Sequence, residues 1–237
     1  MKCFGVDGCT AGWVSIGLDQ NAKWSAEIFS EFESLVSASG DFTLLLVDIP
    51  IGLKDSGPEE RLCDIQARTI LPPGLKPSVF RTPSRKAVYQ DDYHQASQVN
   101  FELTGKKLSR QAWGIAKKIR EVDSFMRNHH EFAGKIRESH PEICFLKISS
   151  GKISSPKKAP RGFEERIEIL KKVFPETIEI ISYVRAKYSP GQVKTDDVLD
   201  ALVLAITSMN FPKLFTLPDK PEIDSCGLPM EIVHAEY

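Results

Sequence analysis

No Cys-x-x-Cys pair occurs in this chain, and its five cysteines (Cys3, Cys9, Cys63, Cys144 and Cys226) are odd in number and irregularly spaced. That pattern excludes a disulfide scaffold and a cysteine-based zinc site. It predicts reduced thiols in a cytoplasmic protein. No apolar run approaches the roughly 20 residues that span a bilayer, so no membrane contact is expected. The N-terminus lacks the basic segment and long apolar stretch of a signal peptide. Net charge is nearly absent: 31 Lys and Arg against 32 Asp and Glu leave −1. Any nucleic-acid contact must therefore come from local basic patches. No internal repeat or low-complexity tract is present. The 237 residues, 41% hydrophobic, are enough to bury one large core or two small ones.

The first fifty residues read β-β-β-α-β. Residues 2–6, 13–18 and 24–29 are short apolar strands joined by the polar turns DGCTAG and DQNAK, which suggests an antiparallel meander. Residues 31–38 suit a short helix. Residues 42–48 (FTLLLVD) form the continuous apolar run of a strand covered on both faces. From Ile51 to about Asn128 the chain is rich in Pro, Arg and Lys and reads as a helical and irregular insertion or cap beside the sheet. Within it, Pro58-Glu59-Glu60 suits a helix start, and residues 109–127 form an amphipathic helix capped by Ser109. Residues 140–148 (HPEICFLKI) are expected to be a fifth strand. Helices follow at 163–174 and 176–188, then a helix at 196–209, apolar almost all round and capped by Thr195. Residues 211–237 read as a tail over the surface, with PMEIVH as an edge strand.

The most informative feature is the placing of single acids beside apolar segments: Asp7 in CFGVDG, Asp48 in LLLVDIP, Glu142 in ESHPEICF, and Asp197 and Asp200 in TDDVLDALVLAI. A carboxylate against a core is unfavourable unless its charge is compensated. A hard divalent cation is the simplest partner for oxygen ligands. Asp197 and Asp200 are three apart and share a helix face. Bland readings exist for each member: a turn-forming Asp7 or Asp48, a helix-terminal Asp197, a solvated Glu142. The joint pattern is what a two-cation site needs. Two ions would bind the attacking water and the leaving oxygen of a phosphodiester.

These segments resemble the ribonuclease H fold, and DDVLDALVLA is similar to the last helix of RuvC-type Holliday-junction resolvases. Over nearly its full length the chain looks like the uncharacterised family labelled predicted RNase H-like nuclease. The motifs that carry this likeness are GVDGCTAGWV, VDIPIGL, RLCDIQAR, SVFRTPSRKAV, LSRQAWGIAKKIREVD, ESHPEICF, the stretch from Lys157 to Leu170, and TDDVLDALVLA. The resemblance implies one α/β domain over 1–237, a ribonuclease H-like mixed five-stranded sheet flanked by helices. It implies Asp7, Asp48 and Asp197 as core ligands of Mg²⁺ or Mn²⁺, two ions in all, with Glu142 and Asp200 completing the set. It implies a nuclease acting on DNA or RNA. EFESLVSAS, after the third strand, offers no obvious catalytic acid, a departure from ordinary ribonuclease H that leaves Glu142 to take the role.

Arg61 and Arg68, one helix face with Asp64 between them, read either as a salt-bridge ladder or as phosphate grips. Arg81 and Arg85 in a Pro-rich loop, and Lys157 and Lys158 in a Ser-rich one, are further candidates for phosphate-backbone contact. Two alternatives stand beside the nuclease. One is a non-catalytic nucleic-acid or protein-binding module of the same fold. The other is an actin-like or sugar-kinase-like phosphotransferase, with DGCTAG as the phosphate turn.

Overall fold

The fold is given by a computed structural model that describes residues 1–153, 155, 157 and 160–237. The meander forms as expected: β1 (Lys2–Cys9), β2 (Gly12–Asp19) and β3 (Trp24–Phe29) pair antiparallel. After α1 (Phe32–Ser39) the chain enters β4 (Leu44–Val47), which pairs parallel to β1. Next come α2 (Leu62–Ile70), α3 (Arg85–Val88), α4 (Tyr93–Thr104) and α5 (Arg110–Asn128), then β5 (Ile136–Glu138), parallel to β4. The result is a mixed five-stranded sheet in the order β3-β2-β1-β4-β5. It is followed by α6 (Pro141–Ile148), α7 (Pro160–Val173), α8 (Thr177–Lys187) and α9 (Thr195–Ser208). The chain ends in a hairpin of β6 (Phe215–Ile223) and β7 (Pro229–His234).

The sheet is covered on both faces, which is why β4 is a run of four buried apolar residues. Strand alternation sends Leu44 and Leu46 to the face under α9, and Leu45 and Val47 to the face under α1 and α5. On the second face Ile119, Val122, Phe125 and Met126 of α5 are buried against Val6, Trp13 and Phe32. Ser109 caps α5 as expected, its Oγ accepting the Ala112 N–H at 3.1 Å. Arg61 and Arg85, from the stretch read as an insertion, are buried as well.

Five expectations are corrected. Residues 140–148 form no strand: Pro141 opens α6 and His140 caps it, its Nδ1 accepting the Glu142 N–H at 3.2 Å. Periodicity cannot separate a short apolar helix from a strand, but proline at the first helical position favours the helix. The fifth strand is β5, just upstream. Strand β1 continues to Cys9, so Asp7 lies inside it. Helix α2 begins at Leu62 behind Arg61, four residues after Pro58. The α9 cap is Lys194, whose N–H is accepted by Asp197 Oδ2 at 2.9 Å. The last segment is more than a surface tail: Met230 to His234 are buried, and Ser139 Oγ donates to the Val233 carbonyl at 2.7 Å, tying β7 to the sheet edge.

One contact sets the distance between sheet and helix. Helix α9 crosses β1 at Gly5, where a Cβ would lie 2.0 Å from the Ala201 carbonyl oxygen and 2.2 Å from the Ala205 nitrogen. No side chain fits, so the backbones touch. We expect Gly5→Ala to force α9 off the sheet and to lower stability by about 3 kcal/mol, the upper end of overpacking penalties. For a chain of this size that is ~10 °C in Tm. Thermal unfolding measures it, and a Tm within ~2 °C of wild type would show the crossing to be compliant.

Candidate active site at the carboxyl ends of the parallel strands

Strands β1, β4 and β5 run parallel, and their carboxyl ends open onto a cavity of about 660 Å³. Ligands of open α/β sheets sit in this position. Asp7 comes from the end region of β1 and Asp48 from the residue after β4. They are brought side by side because the Asp48 N–H continues the ladder, donating to the Val6 carbonyl at 3.0 Å. Alternation directs both toward α9, since Cys3 and Leu46 of the same strands face it. Asp200, in the second turn of α9 and 2% exposed, reaches the same cavity from above. Glu142, in the first turn of α6, lines it from the β5 side.

The cavity therefore gathers Asp7, Asp48, Glu142 and Asp200. Asp197 stays at its edge, half-buried and closing the α9 cap. Two members are matched by protein cations. Lys157 Nζ donates to Asp200 Oδ2 at 2.5 Å, and the buried Arg166 donates through Nη2 to Glu142 Oε2 at 2.5 Å. Asp7 is different. It is 9% exposed, and among the described residues its carboxylate accepts only the Gly8 N–H, through Oδ1 at 2.6 Å, leaving Oδ2 without a partner.

The electrostatics follow. Burial, then the neighbouring charges of Asp48 and Asp200, hold the Asp7 carboxyl well above its ordinary range; Lys157 opposes them in part. Burial raises Asp48, against the pull of His140 and Lys157. Burial pushes Asp200 up to about 6 despite Lys157, and burial also raises Asp197. Burial works against the Lys157 ammonium, but Asp200, Asp7 and Asp48 overcome it and hold the charge firmly. One ammonium thus serves several carboxylates.

Carboxylate oxygens are the donors that hard divalent cations take, and a second positive charge would relieve the crowding at Asp7 and Asp48. Among the described residues, however, no group of three or more His, Cys, Asp or Glu side chains is already set around one point to hold an ion. The donor chemistry fits a cation; a finished cage is not preformed.

The arginines expected to grip phosphate do other work. Arg61 is 3% exposed and all three guanidinium nitrogens are taken: by both oxygens of Asp64, both oxygens of Glu138, and the Ile51 and Gly52 carbonyls. Arg68 donates to the Val79 carbonyl at 3.2 Å and pairs with Glu60. Arg81 donates to the Pro58 carbonyl at 2.6 Å. Arg85 is buried among Asp123, Asp55 and Asp224. Of the expected lysines, Lys157 is in the site and Lys158 lies outside the described residues.

Two residues escaped the sequence reading. Glu138 ends β5 as Asp48 follows β4, and burial pushes it up to about 7 against the pull of Arg61. Lys118 crosses the end of β1, where a Cβ on Gly8 would meet its Cδ at 2.6 Å. Its Nζ sits 4.5 Å from the Trp13 ring centre and donates to the Gly12 carbonyl. Burial lowers its pKa, and Cys9, Glu121 and Asp7 oppose that. Its signal was visible: with Ile115, Ile119 and Val122 it lies on the apolar stripe of α5, an unusual place for a lysine.

The raised Asp7 carboxyl has a stability consequence with a definite sign. When the folded state holds a proton more tightly than the unfolded one, stability is greatest at low pH and falls as pH rises above the unfolded value near 4. At neutral pH Asp7→Asn, which resembles the protonated acid, is expected to raise Tm by ~2–4 °C, about 1 kcal/mol. Below about pH 4, where both states carry the proton, the gain should disappear. Melting curves across pH measure this; an Asn variant less stable than wild type at pH 7 would mean that the carboxylate is well compensated.

No curated protein and no solved structure matches the chain. Residues 5–222 match the family described as "Protein of unknown function (DUF429)", from the centre of β1 into β6, so that all the acids of the cavity fall within it. The chain belongs to this family.

Proposed function

We propose that the protein is a divalent-metal-dependent hydrolase of phosphodiester bonds in nucleic acid, built on a ribonuclease H-like fold. The observation that carries this reading is the meeting of Asp7, Asp48 and Asp200 at the carboxyl end of adjacent parallel strands, where among the described residues Lys157 is the cation bonded to one of them. The antiparallel β1–β3 meander followed by parallel β4 and β5 supports the fold assignment. Asp7 and Asp48 would hold Mg²⁺ or Mn²⁺, with Asp197 and Asp200 of α9 beside them. When bound, the ion supplies charge stabilisation at a phosphoryl oxygen and lowers the pKa of water.

The protein's own groups have distinct parts. Lys118 and Lys157 offer ammonium charge to a phosphate at either side of the acids. Glu142 is held by Arg166 and so is fixed in the wall. His140, whose Nδ1 is occupied as the α6 cap, also lines the cavity, where its other ring nitrogen would be the one left for proton transfer.

A panel of labelled single-stranded, duplex, hybrid and branched substrates, incubated with Mg²⁺ or Mn²⁺, tests this. Cleavage is expected in the wild type and to fall more than about 100-fold in Asp7→Asn and in Asp48→Asn, as for loss of a main charge-stabilising group. A Mn²⁺-induced rise in Tm, absent in Asp7→Asn, should accompany it. Equal cleavage in wild type and variants would identify a contaminant and remove the proposal.

A further inference from the structure

We infer that the cavity receives one nucleotide unit rather than the side of a duplex, with its phosphate among Lys118, Lys157 and the acids and its base against a wall built by residues 75–80 and Ile115. The identity of the phosphate end rests on the function proposed above; the rest comes from the cavity itself. Its volume, about 660 Å³, falls in the range of small-ligand sites, about 300–1,000 Å³. A duplex-binding face is instead broad and strongly positive, burying about 1,000–2,500 Å². The four arginines that might have formed such a face are tied to the protein's own carboxylates and carbonyls.

Part of the lining is apolar. Val79, Phe80 and Ile115 line it with Leu75 and Pro77. A ring and flat aliphatic surfaces suit a base face, and stacking of this kind is tolerant of sequence. At the rim, Gln111 is exposed, and Ser78 Oγ, whose proton goes to the Leu75 carbonyl at 2.7 Å, keeps an acceptor for a base edge. The wall is also fixed in place. Arg68 holds the Val79 carbonyl, Thr82 Oγ1 donates to Asp64 Oδ2 at 2.9 Å, and Asp64 is locked by Arg61 to Glu138 of β5. Arg61 and Arg68 thus fix the shape of the pocket. Asp7, more than nine-tenths buried with Oδ2 free among the described residues, marks the polar end.

One nucleotide unit can arrive as the end of a single strand or as a free nucleotide, and the test separates the two. Fluorescence anisotropy is measured in Ca²⁺ with labelled linear single strands, of DNA and of RNA. Circular strands of the same sequence, a blunt duplex and nucleoside monophosphates serve as competitors. The linear strand is expected to bind at least about tenfold more tightly than the circle or the duplex. Phe80→Ala should weaken it about tenfold, the loss of one stacked base, as should Gln111→Trp, a change at an exposed position that fills the mouth. Tm and its rise in Mn²⁺ are recorded for each variant. The rise should be unchanged in both, and Tm unchanged in Gln111→Trp. Phe80→Ala removes a ring packed on Ala96, Leu108 and Ala112 and should lower Tm without abolishing the cooperative transition, which separates a lost pocket from a lost fold. Competition by monophosphates equal to the linear strand identifies the free nucleotide as ligand; weak competition identifies the strand end. Nucleotide binding without any Mn²⁺ effect would support the pocket and remove the metal-dependent reading. A Mn²⁺ effect without nucleotide binding, equal binding of circle and linear strand, or wild-type affinity in both variants would overturn the inference.

Discussion

The contact between α9 and β1 governs everything else at this site. Two backbones meet where Gly5 has no side chain, and the helix lies directly on the central strand. The pairing order then does the rest. Strand β1 carries Asp7 two residues along on the same face, β4 delivers Asp48 next to it, and the register of α9 sets Asp200 one residue before Ala201, whose carbonyl touches Gly5. A carboxylate trio drawn from residues 7, 48 and 200 is thereby fixed by one close crossing. No long side chain intervenes whose rotamers would blur it, and close packing of this kind resists adjustment.

A second layer of order comes from buried charge. Arg61 ties α2 to β5 through Asp64 and Glu138, and Arg85 ties α3 to α5 and to the turn between β6 and β7. Buried pairs seldom add much net stability over an apolar equivalent, but removing one partner strands the other and costs about 3–5 kcal/mol. Such pairs define position more than they add stability here. They hold the irregular chain between Ile51 and α5 over the mouth of the cavity, a task that its proline-rich sequence could not perform through regular hydrogen bonding.

The legible part of the sequence was the part with period and punctuation. The β-β-β-α-β start, the amphipathic α5 with its Ser109 cap and the all-apolar α9 follow from alternation, helical spacing and burial on both sides. The acids stood out because each interrupts an apolar segment, and four of the five do line one cavity. Helix α6 was misread since ICF is apolar in any conformation, and Pro141 was the better guide. The arginines were legible in part: the Arg61–Asp64 bridge forms, buried instead of exposed, while the expected phosphate grip finds Arg61 already occupied. Spacing shows that Arg61 and Asp64 share a face, but Glu138 is 77 residues away from Arg61, and only the fold reveals that the guanidinium is full. The same holds for Arg166 and Glu142.

Two buried acid groups sit beside this cavity, and they differ in how fully they are compensated. Perturbed carboxyls alone do not decide, since ion-pair networks perturb pKa as well as active sites do. Among the described residues, Glu138 and Asp64 have both oxygens paired: Arg61 faces both, and the Ile51 N–H and Thr82 Oγ1 add further bonds. Asp7, Asp48 and Asp200 share chiefly one ammonium, and Asp7 keeps an oxygen free among the described residues. A fold able to surround Glu138 so fully had the means to neutralise Asp7 too. Three crowded carboxylates, of which only Asp200 is bonded to a lysine among the described residues, are an arrangement that burial opposes. The proposed cation would supply the charge that the arrangement lacks.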